Sequence, residues 1–251
     1  MKKVFAFAFV ICSLMACKEV VTELKDDHNN DGKRDWIPEP DADPAQTTAN
    51  GIAYGNGFAQ WKDVSEISFI FNVDRGERHF ERSWIWNPQT DYVQMMTATD
   101  TVQYKRSEMD STHLKADRAF INDKYWLLAP YQLVWDQRNS TLSEKSNQIA
   151  PISGDTLNML TITYSEDGGY TPGDAYDFYF GKDFAVKEWV FREANDSVAT
   201  MMNTWEDYEN FNGIKIAKMH QDSTGSFKLY FSGISVKKQN GGRSNLCTKT
   251  A

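Results

Sequence analysis

From residue 67 onward the chain alternates. Ile67, Phe69, Phe71 and Val73 take every second position, with Ser68, Ile70 and Asn72 between them. That is the period of a strand with one buried face. Arg75-Gly76-Glu77 makes a turn, and Phe80, Arg82, Trp84 and Trp86 then share one face of a second strand, closed by Asn87-Pro88-Gln89-Thr90. Short strands follow at 92–96 and 101–105. The period returns at 157–164, in Tyr176, Phe178 and Phe180, and at 186–192, 199–208, 214–219 and 227–236. Turn formers at such regular intervals predict an antiparallel meander. Ahead of it, 47–66 is a weakly helical entry: Ile52, Phe58, Trp61 and Val64 can line one face, while Gly51, Gly55 and Gly57 weaken a helix.

Residues 111–135 interrupt the alternation. Ser111 is placed to cap a helix through Leu114, Ala116 and Phe120. The run 125–135 is the most apolar outside the leader, with two Trp, two Tyr, three Leu and a Val and no charge. Asp123 suits its N-cap, because a carboxylate there accepts from free backbone N–H groups. Pro130 ends the helix near Ala129, having no N–H to donate and clashing with the turn before it. The run is too short for a membrane span of about 20 residues, so protein must bury it. The pattern therefore predicts a mainly β (α+β) fold: a single curved antiparallel sheet, a half-barrel, with 111–135 as a helical plug or lid on its concave face. The competing arrangement is a β-sandwich with a surface helix. Residues 137–148 read as a polar connection.

The ends of the chain have a different composition. Lys2 and Lys3 precede an apolar run from Val4 to Met15, the layout of an export signal over residues 1–16. Leu14-Met15-Ala16-Cys17 resembles the bacterial lipobox, which implies cleavage before Cys17 and its modification by diacylglycerol and an N-acyl chain of the palmitate type. The alternative is an ordinary signal peptide that contains a Cys. Cys12 lies within the signal and Cys17 is the lipid carrier, so Cys247 has no disulfide partner. Residues 17–50 form an acidic tether with nine acids against four bases from residue 18 on, half of the net −10 left when Lys2 and Lys3 are removed from the chain's −8. Such charge with few large apolar residues favours disorder, and an acidic chain lacks the basic footprint of a nucleic-acid binder. The folded domain is expected over 51–238, with 239–251 a polar, disordered tail.

Inside the tether, Asp27, Asn29, Asp31 and Asp35 carry the D-x-N-x-D-G-x-x-D spacing of calcium loops, with Gly32 at the sharp turn. Pro38 stands where an EF-hand places its bidentate Glu. A shorter single loop would bind Ca²⁺ weakly; the alternative is a solvated acidic spacer. No other cofactor is expected.

A meander broken once by a greasy helix resembles the LolA/LolB superfamily of lipoprotein carriers and receptors. The matching residues are Trp84-Ile85-Trp86-Asn87-Pro88, Leu133-Val134-Trp135-Asp136, Val186-Lys187-Glu188-Trp189-Val190-Phe191, Trp205-Glu206-Asp207-Tyr208 and Asn212-Gly213-Ile214. The run Phe120-Ile121-Asn122-Asp123-Lys124-Tyr125-Trp126-Leu127-Leu128 is also similar to a lipoprotein family of Bacteroidota-type bacteria. The superfamily resemblance implies a curved sheet closed by helices around a space for acyl chains. It also implies an anchored, extracytoplasmic, outer-membrane protein. Lys18-Glu19 partly resembles a surface-export signal that Val20 breaks, so the periplasmic and surface sides both stay open.

The candidate ligand wall is Phe69, Phe71, Trp84, Trp86, Trp126, Leu128, Tyr176, Phe178 and Trp189, with Arg82 as head-group anchor. Aromatic stripes at strand spacing also make solid cores, and the alternative for Arg82 is a structural pair with an acid such as Asp177 or Glu188. The chain has neither a G-x-S-x-G elbow nor an H-E-x-x-H helix. His79, His113 and His220 read as scattered surface residues, and Glu206 and Asp207 point to opposite faces of their strand. The expectation is a monomeric, non-enzymatic binder of an apolar or acylated ligand. Its partners are membrane lipid through Cys17 and an acyl chain or lipoprotein in the cavity. The rival is a surface-interaction lipoprotein with a solid core, in contact through the loop around Tyr170.

Overall fold

The computed structural model describes residues 43–166 and 172–239. Cys17, the Asp27–Asp35 loop, Tyr170 and the tail after Gln239 lie outside the described residues. Among the described residues no helix is long and apolar enough to cross a membrane.

Twelve strands are described: β1 (Val64–Arg75), β2 (Arg78–Asn87), β3 (Tyr92–Met96), β4 (Thr101–Lys105), β5 (Ser140–Ile149), β6 (Thr156–Tyr164), β7 (Ala175–Phe180), β8 (Val186–Arg192), β9 (Met201–Thr204), β10 (Glu206–Phe211), β11 (Ile214–Gln221) and β12 (Phe227–Lys238). They form two antiparallel ladders, β10-β11-β12-β1-β2-β3-β4 and β5-β6-β7-β8-β9. Only Trp205 separates β9 from β10. Its N–H still donates to Lys187 of the β8 side at 2.7 Å, while Glu206 already pairs with Met219 of β11. One bent strand thus passes from one ladder to the other and joins them as a curved, unclosed wall with β4 and β5 at its edges. The expected curved antiparallel sheet forms, with its hydrogen bonding divided at that bend.

Helix α2 (Leu114–Trp135) lies against both ladders. Phe120 packs on Trp84 and Trp86 with ring centroids 5.4 and 5.3 Å apart. Trp126 meets Trp189 at 4.4 Å and Tyr125 meets Tyr176 at 4.7 Å. The greasy run is buried from Tyr125 to Leu133, as apolar surface of this size requires.

Five local expectations are corrected. The helix begins after His113, not at a Ser111 cap, and Asp123 sits inside it rather than at an N-cap. The helix runs past Pro130 to Trp135, with its backbone opened at Leu128 (φ −131°, ψ 31°). The kink relieves the clash of the proline ring, and Tyr131 then anchors the second half through its hydroxyl on the Asn56 carbonyl at 2.8 Å. Residues 140–149 form edge strand β5, not a polar connection. Folded structure also starts before residue 51: α1 (Pro44–Gly55) is capped by Asp43, which accepts from Ala45 N at 2.8 Å, and buries Ala45, Ala49 and Ile52. Thr48 donates to Glu144 of β5 at 2.7 Å. Gly57 follows with φ +90°, and a Cβ there would stand 1.9 Å from the Gly213 carbonyl oxygen. Only glycine fits that approach.

Candidate functional site

The inward residues of β1 and β2 fall into two groups. Trp84 and Trp86 are packed under Phe120 of α2, and Phe69 is buried against Phe231 of β12. Further along the same strands, Phe71, Val73 and Phe80 pass beyond the cover of the helix. There they wall a hollow of about 540 Å³, with Trp126 and Asn122 of α2, Met201 of β9 and Phe227 and Leu229 of β12. Arg75, Arg78, His79 and Arg82 complete the lining. A second hollow of about 530 Å³ shares Arg75, Met201 and Phe227 with the first and extends past Asn203 to the Asp222–Ser226 turn. Both lie at the rim where β1 ends and β2, β9 and β12 begin.

Arg82 is the fixed cation of this rim. Its guanidinium lies 5.3, 5.1 and 5.9 Å from the ring centres of Phe71, Phe80 and Trp84. It grips Asp123 with both arms of its fork, Nη2 donating to Oδ1 at 2.6 Å and Nε to Oδ2. Trp84 Nε1 and Asn122 Nδ2 donate to the same carboxylate at 2.8 and 2.9 Å. Burial pushes the Asp123 carboxyl up, against the pull of Arg82, Asn122 and Trp84. This replaces the expected pairing with Asp177 or Glu188. Asp177 is held by Arg192 at 2.9 Å and Thr161 at 2.6 Å. Glu188 accepts from the N–H groups of Ile152 and Ser153, both at 2.8 Å. A second buried acid of α2, Asp117, is matched by Arg106 at 2.8 Å.

Arg75 and Arg78 differ from Arg82. Both are exposed. Arg75 lies 5.1 Å over the Phe227 ring, and neither has a carboxylate partner among the described residues. The neighbouring acids Asp74 and Glu81 face His79 at 2.6 and 3.5 Å instead, and these hydrogen bonds raise the imidazole pKa. Phe80 stays 47 % exposed at the lip.

Of the ten residues expected to wall a ligand site, Phe71, Arg82 and Trp126 line the hollow. Phe69, Trp84, Trp86, Leu128, Tyr176, Phe178 and Trp189 are packed core. Val73, Phe80, Phe227 and Leu229 were missed, although all four continue the inward alternation of their strands. His220 is not a surface residue: it is fully buried beside Trp126 and Trp205 at 5.4 and 4.5 Å. Burial drives its pKa down to about 3, against the backbone carbonyls of Thr204 and Ala217. Glu206 and Asp207 take different partners, Gln221 at 3.1 Å and Lys218 at 3.1 Å. No group of three His, Cys, Asp or Glu able to hold a metal comes together among the described residues.

A second polar network spans the kink of α2. Lys124 Nζ lies 5.8 and 5.1 Å from the rings of Trp86 and Trp135. With the Gln132 amide turned to satisfy both neighbours, its oxygen accepts from Lys124 at 3.2 Å and its nitrogen donates to Asp136 at 3.0 Å. Tyr164 donates to Asp136 at 2.8 Å. Burial lowers the Lys124 pKa to about 8, opposed by Asp136 and Asp117 and reinforced by Arg106. The folded pKa lies below the unfolded one, so between about pH 8 and 10.5 the unfolded chain binds more protons. The lysine's destabilising share is full below that window and fades as pH rises through it. The stability deficit of wild type relative to Lys124→Met is therefore larger at pH 7 than at pH 10, in urea titrations of both proteins. A gap that stays constant with pH would place the amine in water.

No protein-family model matches the chain, and no curated protein matches it in sequence. Among solved structures, a DUF1329 family protein from Desulfovibrio piger is similar with a TM-score of 0.46 and 12% identity, over 80% of this chain and 95% of that one. A putative outer membrane lipoprotein-sorting protein domain from Vibrio parahaemolyticus is similar with a TM-score of 0.44 and 10% identity, over 80% of this chain and 94% of that one. Both are distant likenesses of shape.

Proposed function

We propose that this protein is a membrane-anchored, extracytoplasmic lipoprotein that binds an apolar or acylated ligand without carrying out chemistry on it. The observation that carries the reading is the rim hollow. Its walls are aromatic and aliphatic, its volume of about 540 Å³ falls in the usual range for small-molecule sites, and Arg75 and Arg78 stand at its mouth without carboxylate partners. An acyl chain would bury its methylenes against Phe71, Val73, Trp126 and Leu229, each worth about 0.8 kcal/mol. The acidic end would meet the two arginines. Acylation at Cys17 would hold the hollow near a bilayer, since stable anchoring takes more than one acyl chain.

The packed centre behind the rim favours a second reading, a ligand-free interaction lipoprotein. One set of measurements on the full chain separates the two. Native mass spectrometry looks for co-purifying lipid, and cis-parinaric acid reports binding. Val73→Trp fills the hollow and is expected to weaken the probe about tenfold or more, as lost burial of two or more methylenes would. Ile149→Glu, on the exposed β5 edge, is expected to change nothing. No bound lipid and no probe binding would leave the second reading in place. For the anchor, incorporation of a fatty-acid analogue is expected to vanish in Cys17→Ser.

A further inference from the structure

Behind Trp126, where β8, β9 and β11 meet, buried polar atoms cluster without partners among the described residues. They are Trp189 Nε1, Asn203 Nδ2 and Oδ1, Trp205 Nε1 and His220 Nε2. These four residues are at most 2 % exposed. Trp189 and Asn203 oppose each other across the β8–β9 ladder. The Trp205 ring lies 5.6 Å from Trp189 and 4.5 Å from His220. Trp126 covers Trp189 at 4.4 Å and His220 at 5.4 Å.

Buried polar groups are ordinarily hydrogen-bonded, because an unpaired one keeps its full desolvation cost. Here both ends of the Asn203 amide are bare. A leucine would fill that place without the cost, so the fold itself gains nothing from the amide. The set is also chemically complete. Two indole N–H groups and the amide NH₂ donate. The amide oxygen accepts, and so does His220 Nε2, because Nδ1 gives its proton to the Thr204 carbonyl at 3.2 Å. No charged side chain is among them, so an ionised ligand group would sit there unpaired. The cluster meets the second hollow at Asn203, and Trp126, which covers Trp189 and His220, lines the first, which shares Arg75, Met201 and Phe227 with the second.

We propose that this floor is a subsite for a neutral hydroxyl or carbonyl carried on the ligand's chain. The ligand class is then a hydroxy- or oxo-acyl chain. Its carboxylate lies toward Arg75 and Arg78 at the mouth, its methylenes lie against the apolar wall, and its inner oxygen meets Asn203 and the two indoles. This rests on the hollow being a lipid site, and the test keeps the two apart.

Full-length protein is loaded with cis-parinaric acid and titrated with stearate and with monohydroxystearates that differ in hydroxyl position. At least one isomer is expected to displace the probe at a concentration about tenfold or more below that of stearate, since a site built around a hydroxyl discriminates strongly against its absence. Asn203→Leu should erase that advantage, read as the ratio of the displacing concentrations of stearate and of the preferred isomer measured on the same variant. Trp205→Phe, which keeps a ring and removes one donor, should reduce it partly. If stearate binds but no isomer is preferred, or if the preference survives Asn203→Leu, the subsite is overturned. A higher melting temperature for Asn203→Leu together with no isomer preference would assign the polar atoms to buried water only. Failure of every compound, stearate included, would overturn the lipid site and the subsite with it.

Discussion

Asp123→Ala lowers the stability of the fold by about 3–5 kcal/mol, the cost of breaking a buried ion pair from one side. The carboxylate is fully buried and the Arg82 side chain only 18 % exposed. Removing the acid leaves a guanidinium among Phe71, Phe80 and Trp84 with no counter-charge, and it strips the Trp84 indole N–H of its acceptor. Urea titration of the variant reads the loss. The double variant Asp123→Leu/Arg82→Met should recover much of it, because removing both members also removes the desolvation cost. A single-variant loss below about 1 kcal/mol would mean the pair behaves like an exposed one.

Trp189→Ala costs a similar amount, about 3–5 kcal/mol, by leaving a cavity where a large ring was packed. Trp126, Tyr176, Trp205, Tyr125 and Phe178 surround Trp189 at 4.4 to 6.1 Å. The variant also separates two roles. As packed core, Trp189 supports both α2 and the β8–β9 pair, and its loss lowers the unfolding midpoint. As a ligand wall, it would weaken cis-parinaric acid binding with the midpoint unchanged. Thermal unfolding and probe titration on one sample distinguish these outcomes, and the packing predicts the first.

Much of the fold was legible because strand period and turn chemistry are local. Tyr92–Met96, Thr101–Lys105 and Val186–Arg192 fall where the alternation puts them. Burial of the 125–135 run followed from having eleven uncharged, mostly apolar residues in a row. The placement of Arg82 among aromatics followed from its parity with Phe80 and Trp84. Strand β5 was not legible: it is an edge strand with one neighbour, and its Ser, Glu, Lys and Asn residues lie largely in water, so no buried face prints a period on it. Asp123 misled for a related reason. An acid before an apolar run looks like a cap, and only the approach of β2 shows that its partner lies 41 positions earlier in the chain. His220 was misread because one residue in a strand carries no sign of whether an aromatic cluster from other strands will close over it.

Alone, the amino-acid sequence determined which residues turn inward, where the meander breaks and that a greasy segment must be buried. Each of these depends on neighbours a few positions apart. Tertiary structure decided how far α2 reaches along the concave face, and hence which inward residues become core and which line a hollow. Trp84 and Arg82 are two positions apart on one strand face; the first is packed under Phe120 of α2 and the second borders the hollow. The difference is where the helix cover ends, and that is set by the Asp123–Arg82 pair, the kink at Leu128 and the packing of Trp126 on Trp189. Those contacts join residues far apart in the chain, and no local pattern encodes them.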